Sequence, residues 1–454
     1  MRRLNVLKLA VCAMLLLATA NVAVAQSWTN GPVTGFGFTR FDGEYFPGTG
    51  KVYFLGGRLS DASTSGAVWS FDPVAGTYAA TGATMSTPIS NYDICLLEDD
   101  YNLPAGDTYG LYIFGGRLNS GANTDMVQVY YPRSNTVRTI STDPFPGRIS
   151  GYIYAALSAV AYNNKAYVYG GFYPTTYLTT AQTWVFDPEG PSGGKWTQLA
   201  DLPWNRCYVI NAVVDSMIYA LGGDTADAGS AALYAKSECA VLNGNDPSSN
   251  WAPIASLPQI TGETRGFGFN YDSPYEYAGK IITAGQGQWP SETPVCYIYD
   301  VAANTWNSFP NLILGRRNHA GAFIPGYQNS NGIPGMWIFG GRAGTDTTLR
   351  TSEYLQMTST GVGEGGRARQ VNNLSVAPSP VTGTGLVSFE LPRASAVSLI
   401  LYDITGRPVS TLVSGRVDAG RHTTSLDAGR LKAGIYVLRM DAAGITETRK
   451  VVVQ

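Results

Sequence analysis

The sequence predicts an all-β chain: a six-bladed β-propeller closed by its own amino-terminal strand, then a small immunoglobulin-like β-sandwich. Three observations lead there. First, a glycine pair ends a short apolar strand again and again: Gly56-Gly57 after KVYFL, Gly115-Gly116 after GLYIF, Gly170-Gly171 after KAYVY, Gly222-Gly223 after MIYAL and Gly340-Gly341 after MWIF. A degraded copy, KIITAGQG, fills the one gap with Gly285 and Gly287. Second, these copies recur about every 52 to 63 residues, the length of a four-stranded propeller blade. Third, the last repeat stops after one strand beyond Gly341, near Thr351 to Met357, while Ser27-Trp28-Thr29-Asn30 at the other end reads as the missing outermost strand.

Each repeat reads as four strands, most clearly the fourth: CYVINAVV (207–214), MIYALGG (217–223), SECAVL (237–242) and NWAPIASLP (250–258). Alternating apolar and small polar residues are what a half-buried strand requires. Phe71-Asp72-Pro73, Phe186-Asp187-Pro188 and Tyr299-Asp300-Val301 read as turns between third and fourth strands. An aromatic opens most outermost strands (Tyr78, Trp196, Trp251, Trp306), with Val137 in that place in the second blade. Closing the ring removes open sheet edges. The blade aromatics then read as packing between blades rather than as sugar platforms.

The glycine pair, the aromatic–Asp turn and the tryptophan about six to nine residues later resemble the kelch repeat family over about residues 27–357. The fifth blade departs, with Gly285-Gln286-Gly287 in place of the pair. The resemblance implies ligand contacts at the innermost strand ends and the loops between strands. A kelch-type copper oxidase needs two histidines, a ligand tyrosine and a tyrosine–cysteine crosslink. The propeller has one histidine, His319, expected as a loop or core residue, so that chemistry is set aside and neither metal nor cofactor is expected. No HExxH or P-loop appears.

Residues 1–25 read as a secretory signal peptide: basic Arg2, Arg3 and Lys8, an apolar run from Leu9 to Leu17, and Ala23-Val24-Ala25 before Gln26. The run is short for a membrane span, and no transmembrane segment is expected in the mature chain. From Gln26 onward 28 basic residues face 33 acidic ones, so there is no basic footprint for nucleic acid. Cys95, Cys207, Cys239 and Cys296 remain, with no CxxC spacing. They read as small buried hydrophobes, although an oxidising compartment permits disulfides.

Residues 358–373 are glycine-rich and charged without periodicity, the mark of a linker between the propeller (26–357) and a last domain (374–454). About seven short strands follow, the count of a small sandwich. Here Leu401-Tyr402-Asp403-Ile404-Thr405-Gly406-Arg407, Ala433-Gly434-Ile435-Tyr436-Val437-Leu438 and Lys450-Val451-Val452-Val453 resemble the carboxy-terminal sorting domain of type IX secretion substrates. Pro378-Ser379-Pro380 stands where that family usually has Asn-Pro. The resemblance implies a Gram-negative bacterium, a partner in the outer-membrane secretion machinery, and release or attachment at the cell surface.

Candidate ligand-binding residues come from chain direction. In an antiparallel blade the start of the first strand and the end of the second lie on one rim. Arg58, Arg117 and Arg342 follow glycine pairs, and Arg148, Arg206, Arg265, Arg316 and Arg317 precede first strands. Lys51, Lys165 and Lys280 precede second strands, on the opposite rim. The propeller carries 17 basic and 26 acidic residues, so arginines gathered at one mouth of an acidic body point to carboxylates, which a guanidinium meets with two parallel hydrogen bonds. The competing reading pairs these arginines with loop acids such as Asp61, Asp224 and Glu263.

Three functions follow. The first is a secreted binding protein holding an acidic glycan or acidic peptide at the propeller mouth. The second is an enzyme: some bacterial six-bladed kelch proteins epimerise N-acetylneuraminate, in which case Arg206, Arg265 and Arg317 would hold the carboxylate and Glu263 would serve as acid or base. No paired acids stand at a telling spacing, so binding takes precedence over catalysis. The third is a structural surface module with no small ligand.

Overall fold

The computed structural model describes residues 26–99, 108–226, 232–288, 291–325, 334–344, 347–358, 374–377, 380–391, 395–418, 420–442 and 445–454. The expected signal peptide, residues 1–25, most of the expected linker, residues 359–373, and Pro378-Ser379 lie outside them. The chain divides into two compact units, 1–364 and 365–454.

In the first unit, each blade is an antiparallel sheet of consecutive strands. Blade 1 runs Gly43–Phe46, Lys51–Arg58, Thr64–Asp72, Thr77–Thr84. Blade 2 runs Ile94–Glu98, Tyr109–Leu118, Asn123–Tyr131, Thr136–Ile140, and Ile89–Ser90 also pairs with its second strand. Blade 3 runs Ser158–Tyr162, Lys165–Tyr169, Thr183–Phe186, Trp196–Gln198, and blade 4 Ile210–Val214, Met217–Leu221, Cys239–Asn243, Ala252–Ile254. Blade 5 runs Arg265–Phe269, Lys280–Ala284, Cys296–Asp300, Thr305–Phe309. Blade 6 joins Ala320–Ile324, Gly335–Phe339 and Ser352–Gln356 to Thr29–Asn30 from the start of the chain, with Thr29 opposite Tyr354 and Asn30 opposite Glu353. The inferred closure by the amino-terminal strand is the observed one. First strands of neighbouring blades touch in a closed circle, which makes them the wall of the central channel.

The recurring residues hold this ring for identifiable reasons. Gly56 has φ 83°, and a Cβ there would stand 2.1 Å from the Ser65 carbonyl oxygen, so the strand can turn only on glycine. Blade 5 keeps Gly285 at the same position, with φ 84°. The outer tryptophans stitch blade to blade: Trp28 Nε1 donates to Pro310 O at 2.9 Å, Trp196 to Asp143 O at 3.1 Å, Trp251 to Thr183 Oγ1 at 3.1 Å and Trp306 to Ala255 O at 2.8 Å. Between blades lie apolar layers such as Phe54, Phe71, Trp337 and Phe339. Cys95, Cys207, Cys239 and Cys296 are buried free thiols. Lys51, Lys165 and Lys280, at the outset of second strands, pair with Asp72, Asp187 and Asp300 at the ends of third strands.

In the second unit, Ser375–Ala377, Thr384–Leu391 and Gly420–Asp427 form one sheet. Pro408–Val417, Ser395–Asp403, Gly434–Ala442 and Ile445–Val453 form another, in that order. Val387, Phe389, Leu399, Leu401, Leu438, Met440 and Val451 fill the core between them.

Candidate functional site

The two loop classes expected on one rim meet there. Backbone bridges join the segment before a first strand to the residues after the second strand of the same blade: Thr39 with Arg58, Ala155 with Phe172, Cys207 with Asp224, Gly262 with Gly287 and Arg317 with Arg342. In blades 3 to 6 short hairpins extend this rim, among them Phe172–Tyr173 with Leu178–Thr179.

Inside the rim is a feature that the sequence pattern did not expose. Six residues, one per blade, adopt the left-handed conformation just before the first strand: Arg40, Asn91, Ala156, Tyr208, Glu263 and Asn318, with φ between 51° and 63°. Their backbones bond around the channel. Arg40 N donates to Asn318 O at 2.8 Å, Asn91 N to Arg40 O at 2.7 Å, Tyr208 N to Ala156 O at 3.3 Å, Glu263 N to Tyr208 O at 3.4 Å and Asn318 N to Glu263 O at 2.6 Å. A cleft is lined by all six, and by Asp93, Ser158 and Arg265, each two residues further along the chain from one of them. The Nε of Arg40 and the Nδ2 of Asn318 are buried donors with no hydrogen-bond partner.

The eight arginines divide. Arg316 and Arg317 are fully buried. Arg316 Nη2 donates to Glu353 Oε1 at 2.5 Å, and Arg317 Nη1 to Glu263 Oε2 at 3.0 Å, with Glu292 Oε2 3.7 Å from Arg317 Nε. Arg206 pairs with Glu238 at 2.9 Å, its guanidinium 5.3 Å from the Trp204 ring, and Arg148 pairs with Asp125 at 2.6 Å. Arg265 crosses the channel to pair with Asp93 and, at 3.3 Å, with Asp42. These five guanidiniums therefore serve the fold: each already has a carboxylate, so none is available to a ligand's acid as a bare cation. For these five the competing reading, pairing with protein acids, describes the contacts, and for Arg317 the acid is Glu263. Glu263, the candidate acid or base, is engaged by Arg317.

Arg58, Arg117 and Arg342 form the remainder, with one residue that the motif reading passed over. Arg58 has no acidic partner among the described residues; Asp61 instead accepts from the Ser63 backbone and hydroxyl. Burial, then the charges of Arg40 and Arg117, hold the Arg58 pKa below its usual value. Burial pulls Arg342 down to about 10, helped by Arg317, Arg40 and Arg58 and opposed by Glu263. Arg117 Nε donates to Gly121 O at 3.2 Å. Arg40 belongs with them: Arg40-Phe41-Asp42 repeats the phase of Asn91-Tyr92-Asp93 and Glu263-Thr264-Arg265, a signal the sequence did carry.

Deeper in the channel, burial raises the Asp42 pKa to about 7, with Arg265 opposing and Asp93 reinforcing the shift. Asp93 Oδ2 accepts from Ala159 N at 3.1 Å and Asn211 Nδ2 at 2.8 Å. His319 is fully buried, its Nε2 3.0 Å from Thr264 Oγ1; burial, then Arg316 and Arg265, pull its pKa down to about 3, so it is neutral. Among the described residues no group of three or more His, Cys, Asp or Glu is placed to hold a metal ion.

Two family models match the chain: a kelch motif over residues 154–203, which contains blade 3, and a secretion system C-terminal sorting domain over residues 375–454. The chain is a kelch-repeat propeller followed by a type IX sorting domain. Among solved structures, the one titled "Structure of YjhT" is similar at 16% identity with a TM-score of 0.52, covering 72% of this chain and 98% of that one. At that identity the likeness is one of fold. No curated protein sequence matches. The sorting domain implies contact with the type IX secretion machinery, and so a place outside the cell or on its surface for the kelch propeller.

Proposed function

We propose that this secreted protein binds an anionic ligand, an acidic glycan or acidic peptide, at the propeller mouth. The observation that carries the reading is Arg58, which lacks an acidic partner among the described residues and stands within the fields of Arg40 and Arg117. Cations gathered without carboxylates destabilise one another, and an incoming carboxylate relieves that repulsion while accepting paired hydrogen bonds. The unpartnered donors Arg40 Nε and Asn318 Nδ2 in the cleft lining add two more sites for its oxygens. The ion pair between Glu263 and Arg317 occupies the carboxylate that an epimerase would use, so the enzyme reading ranks second.

Calorimetry with glucuronate, galacturonate, hexaglutamate and glucose tests this. Binding of an acid, no binding of glucose, and loss of at least about tenfold in affinity for Arg58→Ala are expected, the effect of removing one charge-assisted contact. Equal indifference to acids and glucose removes the proposal.

A further inference from the structure

The mouth has a second half of different chemistry. Its cations come from blades 1, 2 and 6, whereas blade 3 presents tyrosines. Tyr152 and Tyr173 stack with ring centroids 4.6 Å apart and planes 9° from parallel. Tyr173 covers one face of Tyr152, and Tyr152 is still 52% exposed. Tyr177, on the same hairpin as Tyr173, packs with Tyr208 of the cleft lining against Ala156, Phe172 and Cys207. The two halves adjoin: Asn123 Nδ2, beyond the turn from Arg117, donates to Ile153 O at 3.1 Å, next to Tyr152.

From this we infer that the tyrosine half is a second subsite, for a neutral pyranose attached to the acidic residue held by the arginines. The inference rests on the anion-binding reading and narrows it to an acid-bearing oligosaccharide. A flat aromatic face held rigid by a stacked neighbour suits the apolar C–H face of a pyranose, and the phenol hydroxyls at its edge suit the sugar's own. A tyrosine pair in one rigid geometry also loses little conformational entropy on contact. Tyr152 supplies the face, and Tyr173 is a positioning residue that holds it. Unlike the blade tryptophans, which donate to neighbouring blades, Tyr152 lies in the turn before the first strand of blade 3, and Tyr173, on the short hairpin behind it, is anchored against the core between blades 2 and 3.

The test compares free glucuronic acid with glucuronosyl-xylotriose on the full chain by calorimetry. The wild type is expected to bind the longer probe about tenfold more tightly, the upper range of a single aromatic contact. Tyr152→Ala abolishes that gain while leaving glucuronic acid binding unchanged. Tyr152→Phe keeps the gain, because the ring face remains. Tyr173→Ala reduces it. Glucuronic acid binding with no gain for the longer probe, or a gain that survives Tyr152→Ala, overturns the second subsite and leaves the cationic one standing. Failure of both probes to bind overturns both.

Discussion

Two groups of arginines in one propeller have opposite surroundings. Just before and at the first strands of blades 5 and 6 three guanidiniums have their own carboxylates: Arg316 has Glu353, Arg317 has Glu263, and Arg265 has two. At the rim of blades 1 and 2, Arg58 has Arg40 and Arg117 instead. The same residue type, on the same rim, is structural in one case and a ligand candidate in the other. What separates them is the sign of the nearest charge. A cation count along a rim is therefore only the first half of a site argument.

Breaking the structural group has the largest expected effect. Arg316→Ala leaves the Glu353 carboxylate buried and unpaired, and is expected to cost about 3–5 kcal/mol in urea unfolding. A loss below about 1 kcal/mol would place Arg316 with the rim residues.

Next comes the channel, where carboxylates exceed cations. The Asp42 carboxyl keeps its proton to about pH 7 in the fold but only to about 3.8 when unfolded. Between those values the native state binds the extra proton, so stability falls as pH rises through the window and levels off above it. His319 works the other way, because the unfolded chain takes up its proton below about pH 6.5 while the native state resists to about 3. Asp42→Asn removes only the first effect. The difference in stability between variant and wild type is expected to shift in the variant's favour by up to about 4 kcal/mol from pH 4 to pH 8. A flat difference would show that Asp42 is ionised throughout.

Arg58→Ala sharpens the comparison from the other side. Its stability is expected to stay within about 0.5 kcal/mol of wild type while affinity for acids falls, a split that Arg316→Ala cannot show. The smallest effect belongs to Arg148→Ala. Its pair with Asp125 is partly open to water, with side chains 35% and 26% exposed, and its loss is expected to cost under about 1 kcal/mol with acid binding unchanged.

The fold was legible because its determinants are local. Gly56 must be glycine on account of its own φ and the neighbouring strand, and that requirement recurs once per blade down to Gly285. Trp28 betrayed the closing strand in the same way. The division of the arginines was not legible, because it depends on partners distant in sequence. Arg316 and Glu353 are 37 residues apart, and Arg265 and Asp93 are 172 apart. Position in the repeat gave the rim but not the neighbour. Arg40 was legible in principle, through its phase with Asn91 and Glu263, and was hidden because the first blade has no preceding repeat to compare. Tyr152 lies in a loop outside the repeated pattern, so only its stacking on Tyr173 distinguishes it.

The sixth blade takes strands from both extremities of the propeller, with Thr29–Asn30 laid beside Ser352–Gln356. Synthesis therefore delivers one side of this clasp at the outset and the other only after more than three hundred further residues. Until then the ring is a crescent with an unprotected edge, and no partial product can shut it. The ring can close only once the strand Ser352–Gln356 has been made.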